Sequence, residues 1–89
     1  MIKNNEYTKG VDYKFLTAMD VTVKEYQPWQ LGLFHPDLKG KYVWYPKKGT
    51  LMFESDEGIA NAGEFPASKD TTEDVVNVIM KKVLDQQNS

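Results

Sequence analysis

The stretch Lys41-Tyr42-Val43-Trp44-Tyr45-Pro46-Lys47-Lys48-Gly49-Thr50-Leu51-Met52-Phe53-Glu54 decides the fold. Two aromatic and β-branched runs flank Pro-Lys-Lys-Gly, which has the composition of a hairpin loop. Pro46 pre-sets φ at the first loop position, and Gly49 supplies the left-handed residue that returns the chain. Pairing outward from this loop sets Tyr45 opposite Thr50, Trp44 opposite Leu51, Val43 opposite Met52, Tyr42 opposite Phe53 and Lys41 opposite Glu54. Trp44, Leu51, Tyr42 and Phe53 then share one strongly apolar face. The other face carries Val43, Tyr45, Thr50 and Met52 and ends in a Lys41–Glu54 ion pair. A slip of one residue would scramble both faces, so the register is well specified.

Working outward, the next upstream feature is His35-Pro36-Asp37-Leu38-Lys39-Gly40, a loop with turn residues at both ends. Trp29 to Phe34 reads as a strand that tolerates Gly32, and Val21 to Tyr26 as another, alternating and β-branched, broken by Gln27-Pro28. Asp12 would N-cap a short helix from Tyr13 to Met19, with Phe15, Leu16 and Met19 on one side. The alternation of Val11, Tyr13 and Phe15 leaves a strand open as the alternative. Residues 1–8 are polar and are expected to fray, which leaves residues 9–86 as a single domain.

Downstream, Ser55-Asp56-Glu57-Gly58 turns the chain, and Ile59 to Ala67 reads as a connection with a short edge strand around Glu64-Phe65. The last segment is the clearest helix. Thr71 and Asp74 form a capping pattern, and Glu73 adds negative charge to the first turn. Val75, Val76, Ile79, Met80 and Val83 make an apolar stripe that Leu84 extends. Its natural floor is the Trp44/Leu51/Tyr42/Phe53 face. The expected fold is therefore α+β, a two-layer sandwich. It has a short N-terminal helix, a three- to four-stranded antiparallel sheet and a C-terminal amphipathic helix on one sheet face.

Composition narrows the function. Eighty-nine residues make one domain that buries roughly 60–65% of its unfolded surface. At 40% hydrophobic and 12% aromatic it is a folding chain, not a disordered one. It has no cysteine, which removes disulfides, thiolate zinc sites and Cys nucleophiles. No signal-peptide core or membrane span is legible, and a cytoplasmic location is expected. All eleven basic residues are lysine. Without the arginine fork, sequence-specific nucleic-acid readout loses its best tool. Residues 1–48 carry eight lysines against five acids, and residues 49–89 three against eight, so the acidic half favours a protein partner over nucleic acid.

The candidate sites follow from these placements. Lys47 and Lys48 sit on a protruding tip beside Tyr45, where two ammonium groups could meet phosphates or an acidic protein surface. Tyr45, Val43 and Met52 form an aromatic and aliphatic patch if their face is open, and Trp29 is a further contact candidate. The structural alternative is that Trp29, Phe34 or the N-terminal segment covers that face. His35 is the only histidine and reads as a solvated loop residue within reach of Asp37. No nucleophile motif accompanies it. Glu54, Asp56, Glu57 and Glu64 cluster near a turn but match no calcium loop. Asp70, Glu73 and Asp74 read as helix capping. No catalytic, metal or cofactor constellation emerges.

Trp44-Tyr45-Pro46-x-x-Gly49-Thr50-Leu51 followed by an amphipathic helix resembles the pattern of small phage-type accessory proteins. The outline extends over residues 10–84. The resemblance implies an accessory factor that binds and modulates a host protein. The helix–strands–helix order also resembles a double-stranded-RNA-binding domain, whose last helix begins with phosphate-gripping lysines. Residues 68–74 are mostly acidic here, and the main RNA contact is lost. The expectation is thus a small non-enzymatic protein-binding module, a phage accessory protein or inhibitor, contacting its partner through Tyr45, Lys47, Lys48, Met52 and Trp29. The alternatives are single-stranded nucleic-acid binding through sheet aromatics and lysines, and a small hydrolase using His35 and carboxylates. Homodimerisation through an edge strand is open to so small a chain.

Overall fold

The computed structural model describes residues 4–88, apart from the side chain of Lys69. Its elements are α1 (Tyr13–Ala18), β1 (Thr22–Gln27), β2 (Gln30–Phe34), β3 (Lys41–Tyr45), β4 (Thr50–Ser55), β5 (Gly58–Glu64) and α2 (Lys69–Gln87). The five strands form one antiparallel meander in chain order. The β3–β4 pairing has all five of the partners counted out from the Pro-Lys-Lys-Gly loop. Gly49 takes φ +86°, and its N–H donates to the Tyr45 carbonyl at 2.7 Å, closing the turn.

One sheet face carries Leu31 and Leu33 from β2, Tyr42 and Trp44 from β3, and Leu51 from β4, all buried. Val75, Val76, Ile79 and Val83 of α2 and Leu16 of α1 complete that core. Fully burying one such aliphatic side chain contributes about 1.5–3 kcal/mol, so this contact accounts for the position of both helices. The buried Trp44 indole keeps its N–H satisfied by donating to the Phe65 carbonyl at 2.8 Å. Beside it, Ala67 N–H donates to Pro46 O at 2.9 Å and Phe65 N–H to Gly49 O. The β5–α2 connection is thereby strapped across the hairpin loop.

Several details depart from the sequence expectation. The sheet has five strands, because β5 spans most of what read as a connection. Its Gly- and Ala-rich residues have no alternating pattern, and the strand exists through its ladder to β4, from Ser55–Gly58 to Thr50–Glu64. That ladder shifts register between Leu51 and Met52, where Ala62 is the extra residue. Of the two readings for residues 12–19, the helix is the one formed. Asp12 accepts from Phe15 N–H at 3.1 Å, and Asp20 at φ +62° ends the turn that follows. Met19 is exposed instead of packed, as is Leu84 on α2.

The N-cap of α2 is Ser68, not Thr71: its hydroxyl accepts from Thr71 N–H at 3.0 Å. Thr72 is buried within the first turn and accepts from Asp12 N–H at 3.1 Å, which ties the two helices together. The expected fraying of residues 1–8 falls outside the described residues for 1–3. Residues 4–8 are instead folded in: Thr8 is fully buried, and Asn5 accepts from Tyr7 and Thr8 N–H while donating to Pro28 O. His35 is buried, not solvated, and its Nδ1 accepts from Asp37 N–H at 3.1 Å, a turn-forming role. No helix among the described residues is long and apolar enough to cross a membrane.

Two predictions follow from this packing. Ser68→Ala should cost about 1 kcal/mol in chemical denaturation, whereas Thr71→Ala should stay within a few tenths, because only Ser68 caps the backbone. Burial, aided by Asp85, pushes the Tyr42 hydroxyl up to about 12 from its ordinary 10.0. The unfolded chain then ionises first, so the contribution is intact below pH 10 and is lost as pH rises toward 12. Alkaline unfolding curves of the native protein should therefore lose about 2–3 kcal/mol more across that window than those of Tyr42→Phe.

Candidate protein-binding surface

Side chains alternate along each strand, so the residues between the core positions lie on the second sheet face. Neither helix packs there, and its own side chains do the covering. Gly32 is the key to how. A Cβ at that position would come within 2.5 Å of the Tyr26 ring, so the ring lies directly on the glycine. Val43 stands opposite Gly32 in the ladder and is only 3% exposed. The face expected to expose Val43, Tyr45 and Met52 is thus closed at its centre. Tyr45 and Met52 remain half-buried.

Tyr26 is held from several sides. Lys41 Nζ donates to its hydroxyl at 3.1 Å and lies 4.8 Å from the ring centroid, with Lys24 Nζ at 5.3 Å. Lys41 also pairs with Glu54 at 4.0 Å. The Tyr26 hydroxyl, and then Glu54, hold the Lys41 ammonium above the usual lysine range. This middle region is a self-satisfied polar and aromatic network, with both lysines already engaged.

The end of the sheet where the β1–β2 and β3–β4 turns emerge is different. Trp29, in the first turn, is 46% exposed. Tyr7 meets it edge-on, with ring centroids 5.8 Å apart and planes at 67°. Lys47 Nζ sits 5.1 Å from the Tyr7 ring centroid. Lys48 beside it is exposed, and Tyr45 accepts from Gln30 Nε2 at 3.1 Å. The asparagine bond from Asn5 to Pro28 O fixes the N-terminal segment against the same turn. An indole is presented here braced by Tyr7, with the Lys47 ammonium on the far side of that brace.

Trp29 and Lys47, two sequence candidates from separate turns, are therefore joined through Tyr7, and Tyr45 and Lys48 adjoin them in the chain. Met52 lies further along β4, opposite Val43 and Asn61, outside this cluster. Tyr7 was not legible as a site residue, because its segment is polar and carries no periodic pattern. Tyr26 and Gln30 gave a signal only as strand residues. The Glu54/Asp56/Glu57 region does not converge on an ion: among the described residues, no group of three or more His, Asp or Glu side chains could hold a metal. The cleft beside it, about 430 Å³ between α2 and the β4–β5 turn, has Lys39, Lys82, Asp56 and Asp85 in its walls, charges of both signs around Phe53. No protein-family model, curated protein or solved structure matches the chain.

Proposed function

We propose that this protein is a small binding module without catalytic activity, of the phage accessory or inhibitor kind, that docks on a protein partner through its turn end. The observation that carries the reading is Trp29, a half-exposed indole already oriented by Tyr7. Braced aromatic side chains lose little conformational freedom on burial, and tryptophan is among the residues that most often dominate interface energies. Lys47 lies over the Tyr7 ring that braces it, and Lys48 follows on the same exposed turn, so the matching surface is an apolar pocket with a carboxylate rim. Electrostatic attraction from those lysines would speed encounter more than it would tighten the complex. Tyr45 extends the contact onto the sheet face.

Single-stranded nucleic acid is the competing ligand, favoured by Tyr26 and Tyr45 standing on one face with Lys24 and Lys41. Its weakness is that both lysines are committed to the Tyr26 ring, and Lys41 to Glu54 as well. Base stacking would have to displace them.

The test is affinity capture with the tagged protein, followed by titration of the identified partner. Trp29→Ala is expected to weaken that complex by about 30-fold or more, with a smaller loss for Lys47→Glu and Tyr45→Ala, all three retaining native circular dichroism. Equal affinity for all three variants would overturn the site. Oligonucleotide binding that falls steeply between ~50 and ~200 mM salt and survives Trp29→Ala would select the nucleic-acid reading instead.

A further inference from the structure

The two edges of the sheet are defended unequally. An exposed edge invites pairing with another strand, and charged residues, proline and bulges are the usual deterrents. On β1, Lys24 and Glu25 stand in the strand, the ladder is irregular at Glu25–Gln27, and Pro28 follows. On β5, the sequence Gly58-Ile59-Ala60-Asn61-Ala62-Gly63-Glu64 has no lysine and no proline, and its one carboxylate is the last residue. Its bulge lies at Ala62, so Gly58 to Asn61 remain in regular register with Ser55 to Met52. In the middle of that regular segment is Ile59, 66% exposed, more than Met19, Trp29 or Leu84.

We infer that the occupant of this edge is a second copy of the same chain, paired antiparallel through β5 about a two-fold axis at Ile59. Symmetry fixes the geometry. A two-fold axis that extends a sheet edge to edge runs normal to the sheet and keeps each face on its own side. Ile59 then stands directly opposite its counterpart, Gly58 opposite Ala60, and Glu57 opposite Asn61. The apolar contact is between two side chains that the single chain leaves in water. Charge permits the approach: the carboxylate next to Ile59 across the ladder is Glu54, already paired with Lys41 at 4.0 Å. The product is a continuous ten-stranded sheet with both copies of α2 on one face. Ile59 sits at the end of the sheet away from the β3–β4 loop, so both Trp29 platforms stay free and point in opposite directions.

The absence of native cysteine makes the test clean. Directly opposed strand residues have Cα atoms about 4.5–5.5 Å apart, within disulfide range. Ile59→Cys should therefore form a two-chain disulfide species under mild oxidation, while Thr22→Cys on the β1 edge should not. In sedimentation velocity the native protein should show a two-chain mass that falls to one chain on dilution. Ile59→Lys should remain a single chain throughout, with the thermal midpoint that the native protein shows when diluted to one chain. A native protein of single-chain mass at every concentration would overturn the inference. So would a two-chain mass retained by Ile59→Lys, or equal cross-linking at Thr22→Cys. Ile59→Cys recovered in disulfide linkage only to a different protein would assign the edge to that protein instead.

Discussion

Everything in this small fold is arranged around a single requirement, that the Trp44 indole be buried without leaving its N–H unpaired. A buried donor without an acceptor costs about 1–3 kcal/mol, a sizeable share of the stability available to a domain this short. The Phe65 carbonyl meets that requirement at 2.8 Å. Meeting it fixes where β5 must end and where the connection to α2 must run. The bonds from Ala67 to Pro46 and from Phe65 to Gly49 follow from the same crossing. The helix then starts at Ser68 because the chain leaves the hairpin loop there, and its first turn meets Asp12 through Thr72. The hairpin is thus the floor of the core and also the anchor for what comes after it.

How much of this was legible in the sequence depended on whether local chemistry or a neighbouring element made the decision. The β3–β4 register was fully legible, because Pro46, Gly49 and two alternating aromatic runs leave one pairing that sorts both faces. β5 was not, because an Ala- and Gly-rich edge strand has no hydrophobic period of its own and is specified by β4. The N-cap was misplaced by three residues because Ser68 and Thr71 are chemically equivalent as caps. Only the strap over the loop selects the first. His35 read as solvated because nothing local announces that its Nδ1 organises the turn beneath Leu38.

The candidate surface divides in the same way. Trp29, Lys47, Lys48 and Tyr45 could be chosen from residue type and turn position. Their grouping could not, since Tyr7, which links two of them, comes from a segment whose order depends on Asn5 reaching Pro28. The centre of the second sheet face shows the converse. A row of Val43, Tyr45 and Met52 looks open in the alternation, yet Gly32 vacates space that the Tyr26 ring fills. Missing volume at a glycine two strands from Met52 is invisible to any reading of a single strand.

This closure bears on where recognition can occur. A sheet face whose aromatic ring is already packed on a glycine and capped by two lysines offers a ligand little unsatisfied surface. Displacing that network would forfeit its cation–π and hydrogen-bond contacts before any new one formed. On the sheet, the groups with surface still to bury are at the margins: the Trp29 indole at the turn end, and Ile59 on the less defended edge at the other. They lie far enough apart along the sheet that occupying one leaves the other accessible. The same physics that closes the middle of the sheet therefore leaves its two extremities as the surfaces that the proposed partner docking and the proposed self-association would use, without overlap, in one 89-residue chain.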